Sequence, residues 1–430
     1  MSRKQFLGFV SRGFAVIAVT LILASGVLAA STEKVLFSFT GGNDGGDPAA
    51  GLIFDKAGNA YGTTVFGGTG TACTGTHSGC GTVFKLTRNS QGKWKETVIY
   101  NFQAGTDGKN PYGGVTMDSK GNLFGATAAG GVLGGCSNGD GCGTIFELKH
   151  SGNSWTESVL FSFTGGADGA GPGGGVVFDK KGRLYGTAAD GGKANGCFGQ
   201  GCGVVYQLAP IKGGWRQKTI HTFTGGSDGA TGSLGLLHFD KSGNIYGAAE
   251  LGGDKTCGCG TIFKLSATST GKWKFSRLYA FTGTPDGYSS YGGLIADAAG
   301  SLYGTTYFGG ASGQGSVFQL TRGSNGKWTN TILYSFQGST DGGNPTSTLL
   351  FDANGNLYGT ATAGGANGDG VVFKLTHGFG GFTQSVVHDF GPSPDGSIPY
   401  YGLVRHAGKL YSTTSIGGQG GQGVVFEIKP

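Results

Sequence analysis

The chain has 430 residues and a formal charge of +6, with only 13% Asp, Glu, Lys and Arg, which is too little charge for a nucleic-acid-binding surface. Its 93 glycines lack the every-third-residue spacing of a collagen helix, so they serve turns. Aromatics at 12% and scarce helical periodicity exclude a helical bundle and point to many short strands.

Residues 1–30 read as a secretory signal peptide. Arg3, Lys4 and Arg12 precede an apolar run from Phe14 to Leu28, and the small residues Ala29 and Ala30 follow it. An uncleaved anchor is the alternative, although the run is barely long enough to span a bilayer. Cleavage is expected to lower the charge to +3 by removing those three basic residues. It leaves no other membrane span, and predicts a secreted, periplasmic or cell-surface protein.

From residue 31 onward one repeat of about 60 residues recurs seven times, starting near 35, 98, 159, 219, 277, 332 and 386. Each copy opens with an apolar strand ending in Phe, and an Asp-Gly follows. The Asp residues are Asp44, Asp107, Asp168, Asp228, Asp286, Asp341 and Asp395. Next come two strands around an Asp-x-x-Gly turn, as in GLIFDKAGNAYGTT at 51–64, then Gly-Gly and a strand such as GTVFKL at 81–86. A turn ending in Trp94, Trp155, Trp215, Trp273 or Trp328, or in Phe382, leads to the next Phe-ending strand. Named A (GLIFD), B (NLYGTT), C (GTVFKL) and D (Trp to Phe), these make four strands per copy. The fold class expected is therefore all-β, a single seven-bladed β-propeller of four-stranded blades over residues 31–430. The last copy lacks strand D, so residues 33–40 are expected to pair beside 423–428 and close the ring.

The pattern LYGTTxxGGxxxxGTVFKL, at Leu302 to Leu320 and Leu357 to Leu375, resembles the Gloeo_Verruco (GloVer) tandem repeat of exported bacterial proteins. That resemblance implies export and architecture but no particular chemistry. Family members often carry a C-terminal sorting anchor, whereas this sequence stops at its last strand, favouring a soluble protein. A looser, kelch-like order of Gly-Gly, VF-type strand and Trp supports a propeller by analogy alone.

In such blades the D-to-A and B-to-C connections share one face. The seven Asp residues, placed alike in every copy, read as structural turn residues, with a calcium reading open only where Asn43, Asp44 and Asp47 cluster. Eight cysteines fall two per copy in the first four B-to-C loops, as the disulfide candidates Cys73–Cys80, Cys136–Cys142, Cys197–Cys202 and Cys257–Cys259. Zinc is the alternative there, with only His77 nearby. The loop from Gly-Gly to strand C shrinks from Gly68–Val83 in the first copy to Gly365–Val372 in the sixth, which raises a wall over blades one to four where a partner could bind. Asp190 and Glu250, each just before a Gly-Gly, are candidate acid and base for a glycosidic bond. Tyr112, Tyr288, Tyr291, Tyr400 and Tyr401 in D-to-A loops are ligand-binding candidates able to stack on sugars. His221 and His388 replace strand D aromatics and His406 takes a turn position, so no catalytic triad is readable. No metal or cofactor signature is present. These readings favour a monomeric binding module for an extracellular glycan or protein over blades one to four, rather than an enzyme. A carbohydrate-active enzyme using the loop carboxylates and a structural cell-envelope protein are the alternatives.

Overall fold

The computed structural model describes residues 32–430 except 49, 75–77, 133, 137–138, 153, 193–196 and 234. The expected signal peptide and His77 lie outside the described residues. Strands A, B and C of each repeat and the strand D that follows them fold into one antiparallel sheet in chain order. In the first blade, strand A is Ile53–Phe54, B is Ala60–Thr64, C is Thr82–Arg88 and D is Trp94–Asn101. Local chemistry sets the A-to-B turn: the Asp55 carboxylate accepts the Ala57 and Asn59 N–H groups, and Gly58 takes φ 82°, which a side chain would oppose. The other copies build six more sheets of the same order. Blades four and six gain a fifth short strand, Ala230–Gly232 and Gly343–Pro345, from their D-to-A segments. The assembly is a seven-bladed β-propeller. Among the described residues the only helical element is a 3-10 turn at Cys197–Gly199, and no helix is long and apolar enough to cross a membrane.

The seventh blade is sewn from both ends of the chain. Its A, B and C strands are Val404–His406, Lys409–Thr414 and Val424–Lys429. Its D strand is Thr32–Ser38, antiparallel to Val424–Lys429 with Lys34 opposite Glu427. The Phe39 N–H then donates to the Gly423 carbonyl at 2.9 Å. Pairing the last strand this way removes the exposed edge an open array would carry.

The core is divided into seven wedges, each straddling one blade boundary. One joins Phe102 and Val83 of the first blade to Leu123 and Phe146 of the second; another joins Val425 and Tyr411 of the seventh blade to Leu52 and Phe84 of the first. The Phe that ends each strand D meets the strand C aromatic of the next blade edge-on. Examples are Phe39–Phe84 at 5.1 Å, Phe102–Phe146 at 5.2 Å, Phe281–Phe318 at 5.3 Å and Phe390–Phe426 at 5.2 Å. These rings are fully buried, and such pairs add about 0.5–1.5 kcal/mol beyond their buried area. Strand B makes room for them: a Cβ on Gly62 would lie 2.5 Å from the Phe84 ring.

Candidate site at the channel mouth

The D-to-A and B-to-C segments share a face and bond to each other, through bridges Gly46–Phe66, Lys109–Ala129, Ala170–Asp190 and Tyr288–Phe308. Three residues after each turn Asp the backbone turns left-handed, at Asp47, Asn110, Gly171, Thr231, Ser289, Asn344 and Ile398. That turn aims the N–H of the residue at the preceding blade: Asp47 to the Gln422 carbonyl, Asn110 to Cys80, Ser289 to Cys259, Ile398 to Asp369. A strand B hydroxyl clasps the following loop as well. Thr63 donates to the Gly113 carbonyl, Thr305 to Ser347, Thr360 to Tyr401 and Thr413 to Ala50. The loop face is thus held rigidly by inter-blade hydrogen bonds.

The turn aspartates spend their carboxylates locally. Asp44 accepts the Thr40 N–H and hydroxyl, Asp168 those of Thr164, and Asp286 those of Thr282. Asp107 and Asp341 accept the Gln103 and Gln337 N–H groups and the hydroxyls of Tyr100 and Tyr334. Asp228 accepts the Thr224 N–H and hydroxyl and Asp395 the Gly391 N–H, and each also pairs with a histidine ring nitrogen, that of His221 at 3.1 Å and of His388 at 3.0 Å. His406 stacks on Phe54, with ring centres 4.2 Å apart.

Around the central axis the backbones of neighbouring blades touch. A Cβ on Gly235 would fall 2.1 Å from the Gly293 nitrogen, and one on Gly292 would fall 2.5 Å from the Ser347 carbonyl. The channel narrows to an apolar cavity of about 300 Å³ lined by Leu52, Val115, Val176, Leu236, Leu403 and Tyr401. Tyr401 also lines a small neighbouring cleft with Tyr291 and Tyr400. Tyr112, Tyr291 and Tyr400 occupy one repeat position, five residues after the turn Asp. Hydroxyls of Ser233 and Thr346 hold the Tyr291 and Tyr400 carbonyls, each at 2.5 Å. Tyr291 packs edge-on to Tyr307 at 5.2 Å, Tyr400 lies 5.5 Å from Tyr401, and Tyr288 lies 5.6 Å from Phe308. Burial, and then the charge of Glu250, push the Tyr291 phenol up to about 12. Burial also raises Tyr400 and Tyr401, with Glu250 and Asp47 adding to it. Burial and Asp47 raise Tyr112. Tyr291, Tyr400 and Tyr401 therefore gather with Glu250 and Asp47 at the mouth, with Tyr112 within reach of Asp47's charge. Tyr307, an unremarkable repeat position in the sequence, joins them.

The two candidate carboxylates have different surroundings. Glu250 is 9% exposed and acts on the tyrosines. Asp190 lines a separate depression of about 380 Å³ with Asp140, Gln200 and Cys136–Cys142, and burial alone raises its carboxyl. Both precede Gly-Gly, yet Leu251 intervenes after Glu250 whereas Gly191 follows Asp190 directly. They thus stand one residue out of register, and in extended backbone successive side chains point to opposite sides.

Cys73–Cys80, Cys136–Cys142 and Cys197–Cys202 are disulfide-bonded within their own loops, and Cys257 and Cys259 stand side by side in theirs. Such bonds fit an extracellular or otherwise oxidising environment. The fold and its loops define a seven-bladed propeller whose longer loops are clasped by disulfides. The model of the Gloeobacter/Verrucomicrobia repeat matches residues 27–259 and 240–430. The chain belongs to that repeat family. Among solved structures, it is similar to the crystal structure of a protein of unknown function from Dyadobacter fermentans DSM 18053, at 10% identity and TM-score 0.46, covering 93% of this chain and 99% of that one. No curated protein matches.

Proposed function

We propose that this protein is an exported binding module that holds an extracellular glycan at the tyrosine-lined mouth of its loop face. The observation that carries the reading is the convergence of Tyr291, Tyr400, Tyr401 and Glu250 there. Phenol rings offer flat apolar faces to the C–H side of a sugar, while carboxylates and carbonyls accept its hydroxyls. Tyr112, Val132, Leu236, Phe308 and Ile416 also expose apolar surface on this face, while Ile211, Phe379 and Val386 do so elsewhere. Loops of blades one to four, disulfide-braced in the first three, supply one wall, and residues 1–30, with the features of a signal peptide, fit export. The test is a glycan array with residues 31–430. Specific binding that Tyr291→Ala and Tyr400→Ala each abolish supports the reading, and failure to retain any glycan contradicts it. Hydrolysis of a bound glycan, lost in Asp190→Asn or Glu250→Gln, would assign an enzyme instead.

A further inference from the structure

One inter-blade contact recurs around the whole ring. A strand D side chain of each blade faces the turn Asp, and the strand D aromatic or histidine, of the blade before it. Where that side chain is an amide, it donates to the turn: Gln217 to the Asp168 carbonyl at 3.2 Å, Gln384 to the Asp341 carbonyl at 3.0 Å, and Asn330 to the Asp286 carboxylate at 2.6 Å. Where the turn Asp pairs with His221, Phe275 stands opposite and stacks on the imidazole at 4.0 Å. Glu96 and Glu157 face Asp44 and Asp107, with Phe37 and Tyr100 at the histidine position. The seventh contact differs in kind. At the seam where the ring closes, Glu33, His388 and Asp395 bring their ligand atoms within 4.8 Å of one another. Among the described residues no other group of three carboxylate, imidazole or thiol ligands converges this closely.

We propose that Glu33, His388 and Asp395 bind a zinc ion that fastens the N-terminal strand to the sixth blade. The donor set suits it: one imidazole nitrogen and two carboxylate oxygens, with a fourth position left for water. His388 Nε2 and Asp395 Oδ2 share a hydrogen bond at 3.0 Å, which zinc would replace with a separation of roughly 3.3 Å between two tetrahedral ligands. Glu33 Oε1 is buried and accepts no hydrogen bond among the described residues, so a lone pair is available to a metal. Backbone N–H groups of Gly391 and Gly396 hold the Asp395 carboxylate at 3.1 and 2.7 Å, and Phe390 packs edge-on against the His388 ring at 4.7 Å. Such supports orient metal ligands. Charge favours a dication too. Asp395 and Glu427 both act on Glu33, and Glu427 is only partly offset by Lys409 at 2.6 Å.

The test is calorimetric titration of the intact chain with zinc chloride, with melting curves in parallel. One zinc ion per chain and a rise in Tm are expected. Glu33→Gln and His388→Phe should each weaken binding by more than the roughly tenfold that a lost supporting contact costs, and should abolish the rise in Tm. Both variants copy what other blades carry at these positions, Gln217 and Phe37, so the ring should still close without metal. His221→Phe should leave binding unchanged. Absence of zinc binding, or binding and a Tm rise insensitive to Glu33→Gln and His388→Phe, overturns the proposal.

Discussion

Ile398 adopts φ 57°, a left-handed conformation that a β-branched residue resists. Asn110 and Asn344 occupy the same position in other blades, and each sends its side-chain amide to a carbonyl of the preceding blade, Val65 or Tyr307, at 3.0 Å. Ile398→Asn should therefore stabilise the protein by about 1 kcal/mol, through relief of strain and a bond to the Thr362 carbonyl; urea denaturation measures it. Phe281→Ala, by contrast, empties a fully buried ring site against Phe318 and should cost about 3–5 kcal/mol in the same assay. At the mouth, Glu250→Gln should bring the Tyr291 phenol down from about 12, read by ultraviolet titration. The turn aspartates were legible because the same Asp recurs in all seven copies, whereas the tyrosines were not fixed by count, since only Tyr112, Tyr291 and Tyr400 share the position five residues after it and the other copies carry different residues there. The register of Asp190 and Glu250 was not legible. Gly-Gly is a good anchor only if nothing slips between it and strand B, and Leu251 does.

Strand D carries the inter-blade contacts, and besides Glu33 two of its residues, Glu96 and Glu157, make that contact pH-dependent. Glu96 and Glu157 stand where Gln217 and Gln384 donate, their carboxyls raised to about 7 by burial and then by Asp44 and Asp107 respectively. Each has a buried oxygen without a hydrogen-bond partner among the described residues. A protonated carboxyl can imitate the glutamine; an ionised one cannot. Because the folded pKa lies above the unfolded value of 4.5, the associated stability is complete below about 4.5 and is lost as pH rises through 7. Melting temperature should fall between about pH 4.5 and pH 7, and Glu96→Gln with Glu157→Gln should make that decline shallower, Glu33 supplying the remainder. An unchanged slope would mean the two carboxyls ionise freely in the folded protein. The sequence marked strand D by its Trp and Phe but could not single out these glutamates, since their burial depends on a strand in another repeat.

The molecule as a whole depends on closure. Seven wedges of core form only if every blade has two neighbours, and the last neighbour is supplied by Thr32–Ser38 lying against Val424–Lys429. This pairing was readable because the final repeat runs out one strand short while the first begins with that strand to spare. Close backbone contacts at Gly235 and Gly292 also line the axis with glycine, whereas the cluster of tyrosines beside it arises from residues far apart in the chain. The most direct measurement is a melting curve of residues 39–430 with and without a synthetic peptide of residues 32–38. Without the peptide, a broad transition at lower temperature and self-association through the bared strand are expected; with it, a single sharp transition is restored. A truncated chain that melts as sharply, and at the same temperature, as residues 31–430 would contradict it.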